Sequence, residues 1–185
     1  MKTPVLSCIL TFLLATGQSL AAESPAVRDY QAANKFSAAG GYSDALVLYR
    51  QVLSAGPSDI ADGDVHNRIG DIYFRLGDYP HALASYRKAL ADPRLADRPQ
   101  TQYWVGFCSF LVGRDAEAVT ELLKVPTLYP DAKAWGSTSY YWAGRASERM
   151  GKKEQAAEYY RKAGGSGRTT QAKFAQKKAA AVKGK

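Results

Sequence analysis

Apolar residues recur every three or four positions through most of this 185-residue chain, the period of an α-helix with one buried face. Between residues 26 and 163 the pattern falls into paired segments, each pair broken by a small residue or glycine. Each pair predicts two antiparallel helices joined by a tight turn. The N-terminal stretch differs. Residues 5–17, "VLSCILTFLLATG", form an apolar run behind the positive start Met1-Lys2-Thr3. The run is shorter than the roughly 20 residues of a membrane-spanning helix. Ser19 and Ala21 follow it at the small-residue spacing of a cleavage site. This is the layout of a secretory signal peptide over residues 1–21, cut near Ala21–Ala22, and it predicts a periplasmic or secreted protein. At the other end Ala172, Ala175, Ala179 and Val182 stand at helical spacing within residues 165–185, which predicts a basic capping helix, with a flexible basic tail as the alternative.

Aligned on itself, the chain gives four units, near residues 26–59, 63–96, 99–132 and 137–166. The eighth position of each is Ala33, Gly70, Gly106 and Gly144; the fifteenth is Gly40, Gly77, Gly113 and Gly151. Ala45, Ala82, Ala118 and Ala156 occupy the twentieth, and Tyr49, Tyr86, Leu122 and Tyr160 the twenty-fourth. The small residues at eight and twenty are expected to face each other, so that two backbones approach closely. The glycine at fifteen should end the first helix with a positive φ. The bulky residue at twenty-four should fill the space toward the next unit. Pro57 and Pro130 fall where a helix cannot continue and close units one and three.

This register of small, glycine and alanine positions resembles the tetratricopeptide repeat over about residues 26–163, at a period inside the range of helical solenoids. The resemblance implies an all-α, right-handed superhelical solenoid of four helix-turn-helix units with a C-terminal capping helix. Two departures bear on the late units. The seventeenth position is Tyr42 and Tyr79 early but Asp115 and Lys153 late, and the eleventh changes to Ser109 and Ser147. Looser packing or a different tilt of units three and four is therefore expected. Residues 140–163 also resemble the helical repeats of soluble lytic transglycosylases, although the motifs of that catalytic domain do not occur in the sequence.

Charge narrows the choice of partners. Without residues 1–21 the net charge is +7, and residues 164–185 supply six basic and no acidic side chains. Arg168, Lys173, Lys177, Lys178, Lys183 and Lys185 thus form a basic tail on a nearly neutral body. An exported chain has no nucleic acid to meet, so an anionic envelope surface is the expected weak contact. At about 1 kcal/mol per basic residue near an anionic membrane, such a tail biases location without fixing it.

Catalytic and metal chemistry find little support. Outside the leader Cys108 is alone, among apolar neighbours, and reads as a small buried hydrophobe. His66 and His81 show no ligand or nucleophile spacing, so no metal and no cofactor is expected, and no enzyme. Recognition is the better reading. By the resemblance, the first helix of each unit lines a concave groove, to which Asn34, Arg68, Arg75, Tyr103, Trp104, Phe107, Phe110, Tyr141, Trp142 and Arg145 would contribute. The groove would run from polar to aromatic, and "YWVGFCSFLVG" (103–113) is apolar on every face, as a helix with one face in water should not be. The chain is thus expected to be an exported bacterial envelope scaffold that binds a partner helix or peptide through aromatic and arginine anchors. The alternative is an accessory subunit of a secretion, outer-membrane or cell-wall assembly complex, which uses its convex face or tail while the groove is filled from within.

Overall fold

The computed structural model describes residues 23–165 and 170–183, so the proposed leader lies outside the described residues. Among the described residues the regular secondary structure is all helix. Helices α1 (Pro25–Ala38) and α2 (Tyr42–Ser54) form the first pair, α3 (Asp62–Arg75) and α4 (Tyr79–Ala91) the second. The third pair is α5 (Arg98–Leu111) and α6 (Asp115–Leu128), the fourth α7 (Lys133–Arg149) and α8 (Lys153–Gly164), and α9 (Thr170–Lys183) follows.

Local chemistry sets the helix ends. Ser24, Asp78 and Asp97 cap α1, α4 and α5, their side chains accepting from the Val27, His81 and Gln100 amides, which satisfies donors the first helical turn leaves free. Every hairpin turn has the same closure. Gly40, Gly77, Gly113 and Gly151 take φ of 84°, 76°, 83° and 76°. The following amides of Gly41, Asp78, Arg114 and Lys152 reach back to the carbonyls of Phe36, Tyr73, Ser109 and Ser147 at 2.8–2.9 Å. This is the left-handed closing turn that glycine adopts without a side-chain penalty.

In units two to four the glycine at the eighth position has the bulky residue at twenty-four as its nearest neighbour across the hairpin. A methyl group added to Gly70 would stand 2.7 Å from the Tyr86 ring, and one on Gly144 would stand 2.8 Å from the Tyr160 ring. One on Gly106 would meet Leu122 Cγ at 2.6 Å and the Leu122 backbone nitrogen at 2.8 Å. The glycine therefore receives the bulky residue at twenty-four of its own unit, and that residue does not simply fill space toward the next one. Tyr86 does both, stacking at 6.2 Å on Trp104 of the following unit. Tyr49, Tyr86 and Tyr160 are fully buried, each worth about 2–3 kcal/mol of apolar burial.

Packing between units tightens along the chain. Helix α2 meets α3 only slightly, α4 meets α5 more broadly, and α6–α7 and α8–α9 are as intimate as the hairpins themselves. This reverses the expectation of looser late units, for two reasons. First, the polar late positions are paired. Tyr73 stacks on His81 at 5.1 Å in unit two; at the same two positions Ser109 donates to Glu117 and Ser147 to Gln155, at 2.9 and 3.0 Å. A ring contact has been exchanged for a hydrogen bond. Secondly, aromatic side chains of α5 and α7 fill the inter-unit space: Tyr103 packs on Trp135 at 5.1 Å and Phe107 on Trp142 at 4.4 Å.

Helix α9 lies on α8. Ala175, Ala179 and Val182 join Tyr141, Ala157, Tyr160 and Ala163 in one buried cluster. Lys178 reaches across to Glu148 at 3.3 Å. The helix thus covers the last apolar face that a solenoid would otherwise leave open.

Candidate functional site

Among the first helices α5 packs directly against α7, as first helices on the inner side of a solenoid's curve do. One strip of that side is built from the sixth and ninth positions of successive units. It runs through Asn34, Arg68 and Asp71 to Trp104, Phe107 and Trp142, and ends at Arg145.

At the N-terminal half the strip is polar. Tyr49 and Tyr86 send their hydroxyls through the hairpin to Asn34 Oδ1 at 2.6 Å and Asp71 Oδ1 at 2.9 Å. Burial pushes the Tyr49 hydroxyl up to about 12. It also raises the Asp71 carboxyl above its ordinary value, against the pull of the Tyr86 hydroxyl and Arg68. Arg68 is exposed and pairs with Asp71 at 3.5 Å. Two cavities of about 270 and 300 Å³ flank this pair. One lies toward Tyr30, Asn67 and Gln100, the other toward Ser37 and Arg75. Asn34, Arg68 and Arg75 thus gather around one polar concavity.

Unit three changes both partners at once. Leu122 stands where the tyrosine would be and Phe107 where its polar acceptor would be, so no hydroxyl needs a partner. From here the strip is aromatic. Phe74 leads into it, 4.8 Å from Trp104, and Phe107 touches Trp142 at 4.4 Å. The expected anchors divide. Tyr103, Phe110 and Tyr141 are 6%, 8% and 9% exposed and serve as inter-unit core, because the twist of the solenoid turns them against the next helix. Trp104, Phe107 and Trp142 are half-buried and keep an open edge. The apolar circumference of α5 is explained by α4, α6 and α7 packing around it. The Trp104 indole N–H is nevertheless buried without an acceptor.

Arginines close the aromatic end. Arg145 stands over the Trp142 ring at 5.6 Å and donates to the Tyr141 hydroxyl at 3.5 Å. Arg149 lies 4.0 Å over Phe110, donates to its carbonyl at 2.6 Å and is paired with Asp115. The last interaction ties two units together, and it explains the acid at a position that is aromatic in earlier units.

Sequence reasoning missed Trp135, which precedes the fourth repeat on the early turn of the 17-residue α7. The extra length of that helix was the available signal. In the tail, Lys178 is bound to Glu148, while Lys173 and Lys177 are exposed. Arg168, Lys185 and the Lys183 side chain lie outside the described residues. Cys108 is fully buried and burial pushes its thiol up to about 12, the opposite of an activated nucleophile.

Two stretches, residues 63–91 and 137–163, match the tetratricopeptide repeat family. These two stretches are tetratricopeptide repeats, and the helical-repeat fold extends over the rest of the described residues. No curated protein matches it by sequence. Among solved structures it is similar to a tetratricopeptide repeat protein from Parabacteroides merdae, with a TM-score of 0.72 at 14% identity. That match covers 86% of this chain, which spans 60% of the other. It is also similar to YrrB, described as a tetratricopeptide-repeat protein with an unusual peptide-binding site (TM-score 0.68, 22% identity, 83% of this chain and 75% of that one). The first such domain of Spaghetti (RPAP3), bound to the HSP90 peptide SRMEEVD, aligns at TM-score 0.56 and 18% identity, over 66% of this chain and 94% of that one.

Proposed function

We propose that this protein is a non-catalytic scaffold whose concave strip docks a helix or extended segment of a partner protein. The observation that carries the reading is the sharp step along one strip. Exposed Arg68 and Arg75 border a polar concavity, and the next unit offers the open edges of Trp104, Phe107 and Trp142. A segment with an acidic end followed by large apolar side chains matches that order, since buried aromatic and arginine anchors carry most of the affinity of such interfaces. The fold neighbours with a peptide-binding site or a bound peptide support the same use of the scaffold. The apolar leader supports an exported, periplasmic or secreted location, and mass spectrometry of the secreted fraction checks it by finding a new N-terminus at Ala22.

Burial of Tyr103, Phe110 and Tyr141 favours a second reading, an accessory subunit that docks by its outer face. In-cell crosslinking separates the two. A photoreactive residue at Arg75 reports on the groove, and one at exposed Gln51 on α2 reports on the outer face. Adducts from position 75 that disappear in Trp142→Ala establish groove docking. Adducts from position 51 alone transfer recognition to the outer face.

A further inference from the structure

A third cavity has no part in the strip. It lies between α9 and the α7–α8 turn, holds about 270 Å³, and is mostly apolar. Phe174, Val182 and the bare backbone of Gly151 form its walls. Phe174 is 49% exposed, its ring tilted against that of Tyr141 with 6.0 Å between centroids.

The charges around the cavity are not balanced. Glu148 is already matched, accepting from the Tyr160 hydroxyl at 2.6 Å and from Lys178 at 3.3 Å. Lys153 and Lys177 line the same cavity and are not in an ion pair among the described residues. The cavity therefore joins a mostly apolar wall to two lysines that no carboxylate engages among the described residues. A protein interface of ordinary size buries about 1,600 Å² with several apolar anchors, whereas the exposed side of α9 offers Phe174 as its one large apolar residue among Lys173, Gln176, Lys177, Ala180 and Ala181. Size and charge both favour a small amphiphile.

We infer that this crevice binds a small amphipathic anion, a free fatty-acid-type carboxylate, with its chain against Phe174 and Val182 and its head toward Lys153 and Lys177. The apolar wall with a few placed polar groups is the usual composition of a small-molecule site. The inference is independent of groove docking, because Arg68 and Arg75 lie on α3, in another unit.

Isothermal titration calorimetry with laurate below its micellar concentration tests it. The wild type binds one laurate. Ala181→Trp, which fills the cavity from an exposed position, weakens binding at least about tenfold, equivalent to about 1.4 kcal/mol. The pair Lys153→Glu/Lys177→Glu does the same, and an acid at the start of α8 suits the helix dipole, so folding is retained. If Ala181→Trp fails to fold by circular dichroism, the lysine pair carries the test. Dodecyl maltoside binds at least tenfold more weakly than laurate, and Arg75→Glu leaves laurate binding unchanged. Absence of laurate binding up to about 1 mM overturns the proposal, as does binding undiminished in the lysine pair or equal binding of the maltoside. An acetylated Asp-Glu-Phe-Asp-Glu peptide that binds tighter than laurate through the same lysines would reassign the site to a protein segment.

Discussion

Glycine at the eighth position is a statement about its neighbour across the hairpin. Gly70 and Gly144 each receive a tyrosine ring, and Gly106 receives both the side chain and the backbone nitrogen of Leu122. A ring can tilt away from an added methyl; a backbone nitrogen inside a helix cannot. Overpacking of this kind costs about 1–3 kcal/mol, against a gain of about 1 kcal/mol in helix propensity. Both Leu122 contacts are under 3.0 Å, which puts the cost at the upper end, about 2–3 kcal/mol. Gly106→Ala is therefore expected to lower stability by about 1–2 kcal/mol, or roughly 2–8 °C in Tm for a chain of this size. Gly77→Ala meets open space but keeps φ of 76° and loses about 1 kcal/mol through backbone strain alone. Thermal melts of both variants check the order, and a Gly106→Ala melt at or above wild type would refute the packing account.

Helix α9 depends on one carboxylate and three small side chains. The Tyr160 hydroxyl first, and then Lys178, hold the Glu148 carboxyl below its ordinary 4.5. A depressed carboxyl contributes stability that is present above its unfolded value and lost as pH falls through the folded one. Asp71 acts in the opposite direction: burial raises it above 3.8, so its contribution declines as pH rises from 3.8 through the raised value. Glu148→Gln is thus expected to destabilise the protein at neutral pH and to differ less from wild type at an acid pH low enough to protonate the depressed carboxyl. Urea titrations at the two pH values measure it, and a constant difference would exclude the carboxylate as the cause. Ala179 is buried between α8 and α9. Ala179→Asp places an unpaired charge there, with a loss of about 2 kcal/mol or more. Trypsin should then cut at Lys173 and Lys177 well before the remaining helices; equal cleavage rates would show that α9 is held some other way.

Across the whole molecule, the repeat register was legible because it rests on backbone demands that few residues meet: a positive φ at Gly40, Gly77, Gly113 and Gly151, and close helix approach at Gly70, Gly106 and Gly144. The site was less legible. Periodicity places Tyr103, Phe110 and Tyr141 on the first helices but does not say how far each unit rotates against the next, and that rotation decides which aromatics are core and which keep an open edge. Exchanges such as Tyr73–His81 for Ser109–Glu117 read as weakened packing because a hydrogen bond across a hairpin leaves no hydrophobic signature. The uneven seams between units have one further consequence. In a molecule whose parts touch only their neighbours, local opening begins where a seam is thinnest. The α2–α3 seam is that place, so amides of α1 and α2 should exchange with deuterium ahead of those in α5 to α8. The polar end of the strip, where Asn34 and Tyr49 face Arg68, would then be a hinge as well as a surface, and a ligand that bridges Asn34 to Arg68 would slow that exchange by closing it.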